Sequence, residues 1–193
     1  MAYATVDENT FYVHGGIRHQ SLGGPMTQFY ALDLTQNWDT SNPPWRELAP
    51  APYGSHSKHF ITIPPDHQTL TIWSTGSLYS VFNYSIADAI WTRLSTTGLA
   101  IFGTGFHAAT DPTNGAVYVP AAGPYSNQKM SKFSFVTGSS TLIDVPPTLV
   151  AAQDGYSFAW CQTRKSFILF TGNTSTPKLF FEYLPSTGQW GTM

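Results

Sequence analysis

Phe11-Tyr12-Val13-His14-Gly15-Gly16, then Phe29-Tyr30-Ala31-Leu32-Asp33-Leu34, then Pro43-Pro44-Trp45 is the stretch on which the reading of this chain turns. Aromatic and β-branched runs bounded by Gly, Pro, Asn and Asp clusters are the writing of short strands and turns. A double glycine ends the first run because glycine takes backbone angles closed to other residues and lets a neighbour pack close. Tyr3–Val6 precedes it across an Asp7-Glu8-Asn9-Thr10 turn, so the stretch belongs to a unit of four strands: Tyr3–Val6, Phe11–His14, Gln28–Leu34 and Trp45–Leu48. A polar loop, Ile17–Thr27, separates the second strand from the third.

Weaker copies of this unit follow. The second predicts strands at Lys58–Ile63, Leu70–Trp73, Tyr79–Ser85 and Trp91–Leu94. The third predicts them at Phe106–Thr110, Ala116–Pro120, Met130–Val136 and Thr141–Val145. The fourth has Tyr156–Cys161, Phe167–Phe170, Lys178–Leu184 and Gln189 onward. Ile86–Ile90 is the one segment that reads as a short helix or, equally, as a turn. Taking Trp45, Trp91, Leu142 and Trp190 as equivalent gives spacings of 46, 51 and 48 residues. The third-strand markers Leu32, Tyr84, Phe135 and Tyr183 give 52, 51 and 48. Two markers sharing one period point to a repeat architecture.

A period of this length with four strands per repeat resembles the kelch β-propeller family, in particular the galactose-oxidase-like kelch proteins of filamentous fungi. The resemblance spans nearly the whole chain and is clearest in the first unit, with Gly15, Gly16 and Trp45. In the later units Ser74-Thr75, Ala121-Ala122 and Thr171-Gly172 replace the double glycine, and Leu142 replaces a tryptophan. The expected fold is all-β: a kelch-like propeller with four recognisable four-stranded antiparallel blades, at approximately 1–50, 51–97, 98–147 and 148–193, in a single domain. Kelch propellers usually close with more than four blades. The expectation is therefore a piece of, or a shortened version of, a larger propeller, with a closed four-bladed ring and a ring completed by a second chain as alternatives. An incomplete ring leaves a sheet face bare and invites self-association.

Composition narrows the function classes. Only 10% of the 193 residues are charged and 15% are aromatic, against about 25% charged in an ordinary soluble domain. A net charge of -2 offers no basic footprint for nucleic acid and no polybasic patch for a membrane surface. No apolar run reaches the ~20 residues of a membrane helix, and residues 1–5 lack the charged and apolar regions of a signal peptide. Cys161 is the single cysteine, so no internal disulfide or cysteine metal cluster forms. Sequons stand at Asn83-Tyr84-Ser85 and Asn173-Thr174-Ser175. The second lies in a polar loop where a glycan fits, which favours a secreted or cell-surface glycoprotein over a cytoplasmic one.

Catalytic motifs are missing. His56 and His59 lie three apart, which on a strand points them to opposite faces and argues against a metal site. No nucleophile elbow, phosphate-binding glycine loop or converging carboxylate pair is present. The acids sit in turns, as at Asp66, Asp111 and Asp154, where Asp caps the backbone. No cofactor is expected. In a meander of strands A to D, the B–C and D–A loops share one rim, and there the chain gathers Arg18, His19, Tyr53, His56, Phe102, Tyr125 and Lys129. Long loops on a rigid scaffold commonly carry function. The resemblance thus implies a non-catalytic scaffold that binds a protein or glycan partner through this rim. The alternative is a galactose-oxidase-like enzyme domain whose catalytic residues lie outside the chain. The aromatic markers Tyr84, Trp91, Phe135, Tyr183 and Trp190 read as packing between blades.

Overall fold

The computed structural model describes residues 2–5, 9–15, 27–37, 39, 41–52, 59–64, 66–74, 80–94, 108–120, 129–147, 156–171 and 178–193. These form four four-stranded antiparallel sheets, each a simple meander in chain order. The chain falls into two compact units, Met1–Ser95 and Thr96–Met193, with two sheets in each.

In the first unit, one sheet comprises β1 (Ala2–Thr5), β2 (Thr10–His14), β3 (Phe29–Asp33) and β4 (Trp45–Leu48). The other comprises β5 (His59–Thr62), β6 (Thr69–Ser74), β7 (Ser80–Ser85) and β8 (Ile90–Leu94). Alternation along a strand sends successive side chains to opposite faces. Tyr12, Phe29 and Ala31 therefore share one face of the first sheet, where they form a buried cluster with Ile61, Leu70, Ile72 and Tyr84 of the second. Phe29 is wholly buried and meets Tyr84 edge-on with ring centroids 4.9 Å apart. Neither sheet could bury such a row alone, which is why blades of this kind occur stacked.

The second unit repeats the plan. Its third sheet comprises β9 (Ala109–Asp111), β10 (Ala116–Val119), β11 (Lys129–Ser134) and β12 (Ser139–Asp144). Its fourth comprises β13 (Tyr156–Cys161), β14 (Ser166–Thr171), β15 (Leu179–Leu184) and β16 (Gln189–Thr192). Tyr118 and Met130 of the third sheet are buried together with Phe158, Phe167, Leu169, Phe181 and Tyr183 of the fourth. All four residues of β10 are buried, so both faces of that strand are covered.

Pairing registers sharpen the repeat. Leu32 stands opposite Trp45, Tyr84 opposite Trp91, and Tyr183 opposite Trp190. In the third sheet the same hairpin position holds Phe133 opposite Ser140. Phe135 follows the end of β11, and Leu142 faces Ser131 instead. The displacement is two residues, and a two-residue slip leaves every side chain on its original face. Hydrophobic alternation cannot detect it; only the hydrogen-bonded register can.

The hairpin turns share one design. Gly115 N–H bonds Asp111 O at 2.8 Å and Gly188 N–H bonds Leu184 O at 2.8 Å, both with glycine at positive φ. Ile86–Ala89, ambiguous in the sequence, is another such turn: Ala89 N–H bonds Ser85 O at 3.0 Å with a φ of 58°. Asp111 caps its turn by accepting from Thr113 N at 2.9 Å and from Asn114 Nδ2 at 2.8 Å, and Asp66 accepts from Gln68 N at 2.9 Å. Asp154 lies outside the described residues.

Candidate functional site

The meander places the B–C and D–A connections of each sheet at one end and the A–B and C–D turns at the other. In the first sheet the stems of two such connections are tied together. Gly15 N–H donates to Gln28 O at 2.9 Å, closing the foot of the loop that contains Ile17–Thr27. Ala51 N–H donates to Thr27 O at 3.0 Å, laying the exit from β4 beside that foot. Gly15 has a φ of 59°, so a side chain there would be strained.

Of the rim residues singled out in the sequence, Arg18, His19, Tyr53, His56, Phe102 and Tyr125 lie outside the described residues. Gly16 and the sequon residue Asn173 do too. Lys129 opens β11 and forms an ion pair with Asp144 at the end of β12, its register partner. Both side chains are exposed, and a pair of that kind contributes at most about 1 kcal/mol. Cys161 ends β13 as a free, partly buried thiol.

Among the described residues, a strong charged cluster lies elsewhere, in the fourth sheet. Arg164 grips Glu182 with two bonds of 2.7 Å, and Ser166 Oγ donates to the same carboxylate at 2.6 Å. The Arg164 hydrogen bonds, followed by that of Ser166, hold the Glu182 carboxyl down at about 2. A carboxylate so satisfied is locked in its charged form and is a poor proton acceptor, so the cluster reads as a brace between turn and strand. Burial pushes the Tyr118 hydroxyl up to about 12, which keeps it neutral. Among the described residues, no group of three or more His, Cys, Asp or Glu is placed to hold a metal ion. No helix among them is long and apolar enough to cross a membrane.

The register reveals a surface that sequence reasoning missed. Phe11, Val13, Tyr30 and Trp45 lie on the face of the first sheet opposite to the one packed on the second. Val13, Tyr30 and Trp45 line an open apolar recess of about 370 Å³. Trp45 is 43% exposed and touches Phe11 and Tyr30 edge-on, each at a centroid distance of 6.5 Å. The equivalent tryptophans behave differently. Trp91 bonds Ala49 O at 2.9 Å and packs on Phe29 at 5.3 Å. Trp190 bonds Asp144 O at 3.1 Å and packs on Tyr183 at 5.0 Å. Each thus reaches the exit of the preceding sheet's last strand. Identical spelling of three tryptophans hides that one of them is open.

Solved structures of similar fold exist. The whole chain superposes on 64% of YjhT with a TM-score of 0.70 at 18% identity. A structural genomics protein of unknown function from Bacteroides thetaiotaomicron VPI-5482 matches 99% of the chain over 42% of its own length, with a TM-score of 0.58 at 15% identity. An auxiliary nutrient binding protein of the same organism matches 96% over 38% of its length, with a TM-score of 0.56 at 14% identity. The fold is a β-propeller of four blades. No family model matches the chain, and no curated protein does. The chain spans less than two thirds of the length of these proteins, and at such identities the likeness concerns fold alone.

Proposed function

We propose that this propeller is a non-catalytic, kelch-type interaction scaffold that binds a protein or glycan partner through the rim of B–C and D–A loops. The observation that supports it is the paired loop foot of the first sheet. Gly15–Gln28 and Ala51–Thr27 bonds fasten two long connections side by side at one end of the first blade. Such a rim offers variable loops on stiff stems, the arrangement by which scaffolds present binding residues. Arg18, His19 and Tyr125 supply charge, hydrogen bonding and an aromatic face suited to sugars or peptides. One protein of similar fold is an auxiliary nutrient binding protein, and a ligand-binding role for this chain would be of that kind. A galactose-oxidase-like ancestry and a secreted, glycosylated state belong to the same proposal.

The test is binding to an immobilised panel of galactose-, glucose- and mannose-terminated oligosaccharides and of unrelated peptides. Wild type is expected to retain at least one class. Combined Arg18→Ala, His19→Ala and Tyr125→Ala substitution should weaken that binding tenfold or more with an unchanged melting temperature. Equal binding by the triple variant would remove the rim from consideration.

A further inference from the structure

His14 ends β2 on the face of the first sheet that packs against the second, paired with Ala2 on one side and Phe29 on the other. It is wholly buried, with its ring centroid 5.9 Å from that of Phe29 and 6.1 Å from that of Trp91. Imidazole is the side chain whose charge ordinarily changes between pH 5 and 8. A charge in such a place needs water or a carboxylate beside it. The sequence supplies no carboxylate at this end of the first unit. Segments 15–28, 49–58 and 75–79, which join the strands there, contain no Asp or Glu. Of the seven acids within residues 1–95, Asp7, Glu8, Asp33, Asp39, Asp66 and Asp88 lie in or beside the turns of the opposite end. The seventh, Glu47, stands across from Tyr30 on the other face of β4.

The ionisable residues that alternate onto the same side as His14 are Tyr12 on β2, Asp33 at the far end of β3 and Arg46 on β4. From the second sheet, Tyr84 on β7 and Arg93 on β8 share the side of Trp91, and β5 opens with His59. β1 contributes Ala2 and Ala4 to this row, and β6 has no ionisable residue. Both arginines carry the sign of a protonated imidazole and add to its cost.

His14 also stands beside the bonds that hold the loop stems. Gly15, next in the chain, donates to Gln28 O at 2.9 Å. Trp91, against the His14 ring, donates to Ala49 O at 2.9 Å, and two residues further on Ala51 donates to Thr27 O at 3.0 Å. Imidazole, indole and the two stem bonds form one contiguous group within the first unit.

We infer that His14 is a proton-operated latch: proton uptake in mildly acidic solution drives its ring from between Phe29 and Trp91 and releases the Gly15–Gln28 and Ala51–Thr27 bonds. The neutral ring keeps the two stems fastened, and the charged ring is accommodated only where water reaches it. One consequence rests on the rim-binding reading above: a partner is held at neutral pH and let go in an acidified compartment. The latch itself needs no partner, so failure of that reading leaves the test below standing.

The experiment is amide hydrogen exchange of the full chain from pH 7.5 to 5.0, above the range in which Glu182 responds. Rates at the Gly15 and Ala51 amides are divided by the intrinsic rate at each pH. A ring that takes its proton only in the open form, near the ordinary histidine value of about 6.5, raises the opening constant about 30-fold over this range. The Gly188 amide, bonded to Leu184 O in the second unit, is the reference and should change less than threefold. His14→Gln and His14→Phe do not titrate and should flatten the response at Gly15 and Ala51, with melting curves checking that each folds. His59→Gln should leave the response in place. In wild type, NMR of the His14 ring should show the neutral form for as long as Gly15 is protected, a readout that needs no variant. A wild-type opening constant that stays flat would overturn the inference. So would a rise shared equally by Gly188, a rise that survives in a folded His14 variant or vanishes in His59→Gln, or a His14 ring that titrates while Gly15 stays protected.

Discussion

Replacing Trp91 by alanine is the most direct trial of the way these sheets hold together. The indole lies at centroid distances of 4.9 Å from Tyr84, 5.3 Å from Phe29 and 6.1 Å from His14, and its Nε1 bonds Ala49 O at 2.9 Å. Truncating a well-packed tryptophan costs about 3–5 kcal/mol. Trp91 is only partly buried, which lowers the packing share, whereas the lost bond adds about 1 kcal/mol. The net expectation is about 3–4 kcal/mol. For a chain of this length each 1 kcal/mol lowers the melting temperature by about 2–4 °C, so the variant should melt roughly 6–16 °C below wild type. Calorimetry measures the shift. Hydrogen exchange should show the loosening concentrated in residues 1–95, because Tyr84, Phe29, His14 and Ala49 all lie in the first unit. A Trp91→Phe variant should fall between the two, retaining ring contacts without the donor. If Trp91→Ala melts within 2 °C of wild type, the indole does not join the two sheets and the stacking account of the first unit fails.

Two further outcomes follow from local chemistry. The Glu182 carboxyl sits at about 2 in the folded chain against 4.5 as its reference. The lowered value means its stabilisation is fully present above pH 4.5 and is lost as pH falls toward 2. Urea titrations should show this decline, and Glu182→Gln should flatten that part of the pH profile while lowering stability at pH 7. Ala89 occupies a left-handed turn position with a φ of 58°, which costs a non-glycine residue about 1–2 kcal/mol. Ala89→Gly should therefore raise stability by up to about 1 kcal/mol after the added freedom of the unfolded chain is subtracted; a loss of stability on urea unfolding would contradict the strain.

Much of the fold was legible because strand physics is local. Phe11–His14, Leu70–Trp73 and Tyr156–Cys161 announce themselves through β-branched and aromatic runs between turn residues. Their recurrence identifies the repeat without any distant contact. Asp66 and Asp111 read correctly as turn caps because an Asp side chain bonds the backbone two residues on. What stayed hidden depends on pairing. Phe135 and Phe133 alternate in phase, so either fits the marker position, and the ladder alone selects Phe133. The rim residues could be named from the meander order, but the bonds that bring the Gly15–Gln28 foot beside Ala51 cross between segments that share no sequence signal.

Trp45 marks the same boundary most sharply. By itself the sequence determined that Trp45, Trp91 and Trp190 are equivalent residues of a four-stranded repeat, since spacing and alternation are properties of the chain. Only the tertiary structure decided that Trp91 and Trp190 are fastened to a neighbouring sheet while Trp45 stands half open over an apolar recess. The reason is physical: a strand's periodicity fixes which face a side chain takes, but what covers that face depends on which sheets stack against it.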